Sequence, residues 1–198
     1  RYFEEEISNE VNLSYSDNQV TVTTDYLTLV YTLNSEGYAS QCVYSLSSQN
    51  RIYQFSYSAE GYLTGIVENI DDTEYSSTSL TYENGDITSI SSKMNGLENK
   101  FIYEPGEESS TYHLPCLGLL EIHPLTFHIE ALYAGLLGKD PRHFTMHSCP
   151  AGSNDEKTVY SYGFDKKGNP SRMICQTTYA GGQASYYPYT RNISISFE

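Results

Sequence analysis

The stretch Phe55-Ser-Tyr-Ser-Ala-Glu-Gly61-Tyr-Leu-Thr-Gly-Ile-Val67 decides the fold. Tyr53, Phe55 and Tyr57 alternate with Gln54 and Ser56, the period of a strand with one apolar and one wet face. Ala59-Glu60-Gly61 then breaks the run. Its glycine supplies the positive φ of a tight reversal, and a second alternating segment follows. The phrase recurs as Leu29–Val43, with Ser35-Glu36-Gly37 at its centre. It recurs again as Leu80–Ile90, turning at Asn84-Gly85, and as Tyr162–Ile174, turning at Gly168. Repetition of one strand–turn–strand unit is an architectural signal: a row of β-hairpins.

Working outward, Val11–Tyr15 and Gln19–Thr24 flank Asp17-Asn18, another hairpin turn. Strands are predicted at roughly 26–33, 38–46, 51–58, 62–69, 77–83, 87–93, 98–104, 158–165 and 170–179, and over Arg191–Phe197. Connections this short pair successive strands antiparallel. The prediction is an all-β single domain over residues 1–198: an antiparallel meander of about 11–12 strands forming a curved sheet or barrel, with one helical insert. Residues 1–10 read as a polar, acidic lead-in.

The pattern fails over 105–157, the expected insert. Pro124 to Leu137 reads as a helix. Leu125, Ile129, Leu132 and Leu136 recur at helical spacing, Pro124 suits a first turn and Gly138 a C-terminal cap.

Composition narrows function by exclusion. Twenty tyrosines and no tryptophan suit half-buried pleated strands, and the tyrosines read mainly as sheet core. A net charge of −14 argues against nucleic acid and against adsorption to anionic lipid. No run reaches the length of a membrane-spanning helix. The chain opens at Arg1, so the expectation is a mature or trimmed form. Four cysteines without metal-type spacing are compatible with export. Cys116 and Cys149 bracket the insert and are the expected disulfide; it would close a loop of about 33 residues and contribute about 3–4 kcal/mol. Cys42 and Cys175 read as small core residues.

The hairpins with an Asp/Glu-x-Gly turn resemble the tyrosine–aspartate repeats of secreted bacterial proteins. A series of hairpins interrupted once by a segment such as Leu132-Tyr-Ala-Gly-Leu-Leu-Gly-Lys139 resembles a family of exported Gram-negative envelope lipoproteins. That family is known as a domain of unknown function with a porin-like fold. The resemblance implies an antiparallel meander, a signal sequence ending in a lipid-anchored cysteine, and a place in the periplasm or at the outer-membrane surface. It carries no catalytic or binding residues.

Candidate chemistry is sparse. His113, His123, His128, His143 and His147 all fall in one segment, and they are the candidate metal ligands; density alone does not assemble the three or four converging ligands a metal needs. The acidic pairs Asp71-Asp72 and Asp155-Glu156 sit in predicted loops and read as solvated charge. Tyr186, Tyr187 and Tyr189 lie in a predicted loop and are the candidate ligand-contacting aromatics. No nucleophile, phosphate-loop or dinucleotide motif occurs, and no cofactor is implied. The expectation is an exported, envelope-anchored, non-enzymatic β-protein binding a ligand or an envelope partner, with the helical insert packed over its concave face. The alternatives are a metal-dependent hydrolase built on the insert histidines and a purely structural envelope subunit. Membrane association is expected only through an N-terminal lipid anchor.

Overall fold

The computed structural model describes residues 11–24, 27–46, 49–109, 122–153, 156–166, 170–179 and 189–194. Thirteen strands form one sheet in strict chain order, every neighbour antiparallel. They are β1 (Asn12–Ser16), β2 (Gln19–Thr23), β3 (Thr28–Leu33), β4 (Ala39–Leu46), β5 (Gln49–Tyr57), β6 (Leu63–Ile70) and β7 (Thr73–Glu83). Then follow β8 (Asp86–Met94), β9 (Leu97–Ser109), β10 (His143–Pro150), β11 (Glu156–Phe164), β12 (Pro170–Tyr179) and β13 (Tyr189–Ser194). No ladder joins β13 to β1 among the described residues, so the sheet is an open meander there.

The turn chemistry is the one the hairpins require. Asp17, Asn84 and Asn95 take positive φ, as do Gly85 and Gly96 beside the last two. Asp71 and Asp72, at φ 48° and 65°, form the β6–β7 reversal, so this acidic pair is a turn.

Two corrections concern the interruption. β9 runs on to Ser109, and His143–Pro150 is a strand, β10, that pairs with it. This extra strand raises the count above the expected 11–12. The helix expected from Pro124 to Leu137 is a 3₁₀ turn, Leu125–Phe127, and a five-residue helix α1, Ile129–Tyr133. Gly135, at φ +72°, ends the helical path before Gly138 is reached. Leu136 N still bonds back to Ala131 O; from Leu136 O onward the backbone groups turn to the sheet instead of to their own helix.

That turning outward fixes the insert. Leu136 O accepts from Ala39 N, Lys139 N donates to Gly61 O, and Arg142 N donates to Gly85 O. Residues 136–142 thus form a strap crossing three successive hairpins at one end of the sheet. At Gly138, φ is +90° and a Cβ would lie 2.6 Å from Gly61 O, so the strap seats only with a glycine there.

One face of the sheet, the inner face, carries the core. Leu125, Ala131, Leu132, Leu136 and Leu137 of the insert bury against Leu29, Tyr31, Tyr53, Phe55, Leu63 and Ile66 of the strands. Tyr31, Tyr53, Tyr103 and Tyr160 are all buried.

Candidate functional site

A single cross-strand row organises the inner face. Successive register partners run Val20, Tyr31, Cys42, Tyr53, Glu68, Ser76, Met94, Leu97 across β2 to β9. The first six are buried; Met94 is 37% exposed and Leu97 73%. The insert covers the first part of the row and stops short of the rest.

Glu68 is the centre of the covered part. It lies on the inner face of β6 two residues from Ile66, and its side chain is fully enclosed. A buried carboxylate persists only when its oxygens are hydrogen-bonded. Oε1 accepts from Arg51 Nη1 at 3.0 Å and Tyr53 Oη at 3.2 Å. Oε2 accepts from Ser76 Oγ at 2.8 Å and lies 2.6 Å from His123 Nε2. Burial opposes the charge, but the bonds from His123, Ser76 and Tyr53 outweigh it and hold the carboxyl below its ordinary range. Arg51 lies over the Tyr75 ring, and Tyr75 and Phe127 meet the His123 imidazole edge-on. The insert is thereby pinned through a charge-assisted network. Thr78 Oγ1 and Ser92 Oγ add bonds to His123 O, at 3.1 and 3.0 Å.

His128 is the second anchor. It is fully buried in a cage of Tyr31, Tyr53 and Phe55, with ring centroids 5.8, 4.4 and 5.3 Å away. Tyr31 Oη lies 2.8 Å from Nδ1. With Nδ1 accepting that hydroxyl proton, Nε2 carries the ring hydrogen, and it finds no acceptor among the described residues. Desolvation pushes this imidazole down to about 3, so it is neutral in the fold. The same burial raises the Tyr31 phenol and pushes the neighbouring Cys42 thiol up to about 12, which makes Cys42 an inert core group.

The histidines do not converge. His123 goes to Glu68 and His128 to Tyr31. His143, on β10, meets Asp86 through both its backbone N (2.7 Å) and Nδ1 (2.8 Å). His147, also on β10, lies 3.0 Å from Glu104. No three metal-ligating side chains gather among the described residues. The strand conformation of β10 places His143 and His147 in a sheet, not on a helix face. His113 and Cys116 lie outside the described residues; Cys149, half-buried on β10, makes no disulfide with another described cysteine. Tyr186 and Tyr187 also lie outside them. Tyr189, expected in the loop, opens β13 opposite Thr177. Of the acidic pairs, Asp155 lies outside the described residues and Glu156 opens β11.

Beyond the described part of the insert the inner face is concave. A cleft of about 540 Å³ is floored by Phe101, Tyr103 and Tyr160 and walled by Ile122 and His123 of the insert. Met94 and Leu97, flanking the β8–β9 turn, line it as well, with Asn99, Thr158, Thr177 and Glu156. A second concavity, of about 610 Å³, shares Tyr160 and is lined by Phe144, Met146 and Tyr162. The first has the size and mixed lining of a small-molecule site. Its inner hydroxyls are paired within the wall: Ser148 Oγ with Tyr160 Oη at 3.0 Å, and Thr158 Oγ1 with Thr177 Oγ1 at 2.9 Å. Neither Glu68 nor this cleft was singled out by sequence. The signal for Glu68 was its parity with Ile66 on the strand.

This architecture has known counterparts. The family model for a domain of unknown function (DUF4595) with porin-like fold matches residues 2–172. A porin-like protein from Bacteroides uniformis is similar at 28% identity and a TM-score of 0.85, over 96% of this chain and 77% of that one. A porin-like protein from Bacteroides vulgatus shares the fold at 13% identity and a TM-score of 0.61, over 96% and 87% of the two chains. No curated protein matches. With a family model covering most of its length, the chain belongs to the family of domains of unknown function with a porin-like fold.

Proposed function

We propose that this chain is an exported, envelope-associated, non-enzymatic β-protein that takes a ligand into the open half of its inner face. The cleft beside the insert is the observation that carries the reading. A covered sheet face needs no cavity, yet here a cleft with an aromatic floor stands next to a rigidly pinned wall. The envelope assignment draws on the porin-like relatives from Bacteroides and on the resemblance to exported lipoproteins. An N-terminal lipid anchor is the expected tether. The described histidines hold carboxylates and a phenol, so they lend no support to a metal-dependent hydrolase.

The test is titration with the neutral fluorophore N-phenyl-1-naphthylamine. Saturable binding is expected, weakened about 10-fold by Asn99→Trp, a bulky group at an exposed rim position; that is about 1.4 kcal/mol. Absence of binding, or an unchanged affinity in the variant, overturns the cleft as a site. Cell fractionation tests the location: recovery with the envelope is expected, and recovery with the cytosol overturns that part.

A further inference from the structure

The cleft's charge and hydrogen-bonding pattern also selects a class of ligand; this inference rests on the binding reading above. We propose that the cleft takes an amphiphile with an apolar body and a head group that carries no negative charge. Four observations on its lining support this.

First, the floor and rim are apolar where a ligand would lie: Phe101, Tyr103, Ile122, Met94 and Leu97. Met94 and Leu97 are exposed apolar side chains at the mouth, a position where burial by an apolar ligand body is favourable. Second, the deep hydroxyls already bond within the wall, Ser148 with Tyr160 and Thr158 with Thr177, which takes up one donor hydrogen of each pair. The Ser92 hydroxyl likewise donates to the His123 carbonyl. A ligand rich in hydroxyls would find few free partners along the wall and would lose its own hydration. An apolar body loses none.

Third, no Lys or Arg stands among the described lining side chains. Lys93 and Lys100 alternate with the lining residues Ser92, Met94, Asn99 and Phe101 along β8 and β9, and so belong to the opposite face. Lys157 lines an adjoining groove with Glu104 and His147, which shares Ser148 and Glu156 with the cleft, and it makes no ion pair with Glu156. The one imidazole in the wall, His123, has its Nε2 committed to Glu68 at 2.6 Å. Fourth, Glu156 lines the cleft from the start of β11 with no ion pair or hydrogen bond to another described residue. An anionic head placed beside it meets an uncompensated like charge, in a cleft whose low-dielectric walls weaken solvent screening. An uncharged or ammonium head does not, and an ammonium also gains from the aromatic floor.

The experiment is competition against bound N-phenyl-1-naphthylamine by three probes of equal chain length, dodecanol, dodecylamine and dodecanoate, with cellohexaose as a hydroxyl-rich control. Dodecanol and dodecylamine are expected to displace the dye at concentrations about 10-fold lower than dodecanoate. In Glu156→Gln, dodecanoate is expected to come within about 3-fold of dodecanol. Equal displacement by dodecanoate in the unaltered chain overturns the charge selection. Displacement by cellohexaose and by none of the chains overturns the amphiphile class while leaving a binding cleft. Failure of the dye itself to bind is the separate outcome that removes the binding reading.

Discussion

The covered and open parts of the inner face are built from the same strands' alternation, yet they treat polar groups in opposite ways. Under the insert the polar side chains interlock: Glu68 receives Arg51, Tyr53, Ser76 and His123, and Tyr31 meets His128, with only His128 Nε2 and Arg51 Nε left without a partner among the described residues. Beyond the insert the hydroxyls pair along the wall, and the Glu156 carboxylate makes no hydrogen bond or ion pair with another described residue. One row of register partners crosses from one regime to the other, from buried Ser76 to exposed Met94. The difference teaches that burial here is set by the insert and not by the sheet. The meander supplies a long amphipathic face; a segment of about one helix and a strap decides which part of it becomes core.

The largest expected effect tests that division with two carboxylates on one face. Glu68→Ala leaves Arg51 and the Ser76 and Tyr53 hydroxyls facing an empty site and is expected to cost about 3–5 kcal/mol in urea unfolding. Glu156→Ala, on the open part, is expected to change stability by no more than about 0.5 kcal/mol. Equal losses at the two positions would break the comparison, since the covered part would then be no more interlocked than the open one.

A smaller effect tests the strap. Gly96 and Gly138 both take positive φ, but a Cβ at Gly96 meets nothing within 4 Å, whereas at Gly138 it runs into Gly61 O at 2.6 Å. Alanine at either site carries the backbone strain; alanine at Gly138 also forces the strap off the β5–β6 turn. Gly138→Ala is expected to cost about 1–3 kcal/mol more than Gly96→Ala in the same measurement. Equal costs would mean that the strap's docking contributes nothing.

These two regions were unequally legible in the sequence. The hairpins were readable because their signals are local. Alternation and a turn residue such as Asn84-Gly85 need no distant partner, and register follows from them. The strand β10 was missed because Pro141 precedes it, Pro150 ends it, and its register is broken between His143 and Thr145 and between Thr145 and His147. The insert helix was overread because leucines at helical spacing also suit a strap whose carbonyls and amides are claimed by sheet turns. The resemblance carried by Tyr-Ala-Gly-Leu-Leu-Gly pointed to the right segment, and the structure gives its glycines a reason: Gly135 ends the helix and Gly138 lets the strap touch Gly61. Glu68 stayed hidden because a glutamate on a strand reads as solvated charge, and only tertiary contact with His123 and Arg51 makes it core. The four described histidines are neighbours in sequence only, each facing a different partner.

The smallest expected effect separates the two anchors of the insert by pH. His128 is neutral in the fold, displaced by desolvation from an ordinary value near 6.5 down to about 3. Between those values the unfolded chain binds a proton at this residue that the folded chain does not. Stability therefore rises with pH through that window, is fully present above about 6.5, and declines on acidification by at most about 1.4 kcal/mol per pH unit. Glu68, held below its ordinary range, contributes stability that is likewise present at neutral pH, but its loss begins only as pH falls into the carboxylate range. The interval from pH 6.5 to 5 thus isolates the imidazole from the carboxylate. His128→Phe keeps an aromatic ring in the cage of Tyr31, Tyr53 and Phe55 and cannot titrate, so the stability difference between the unaltered chain and the variant should shift by about 1–2 kcal/mol, in favour of the variant, from pH 6.5 to 5. A difference that stays constant across that interval would show that the folded chain protonates His128, and that the covered part of the face admits water to the ring its cage is built to exclude.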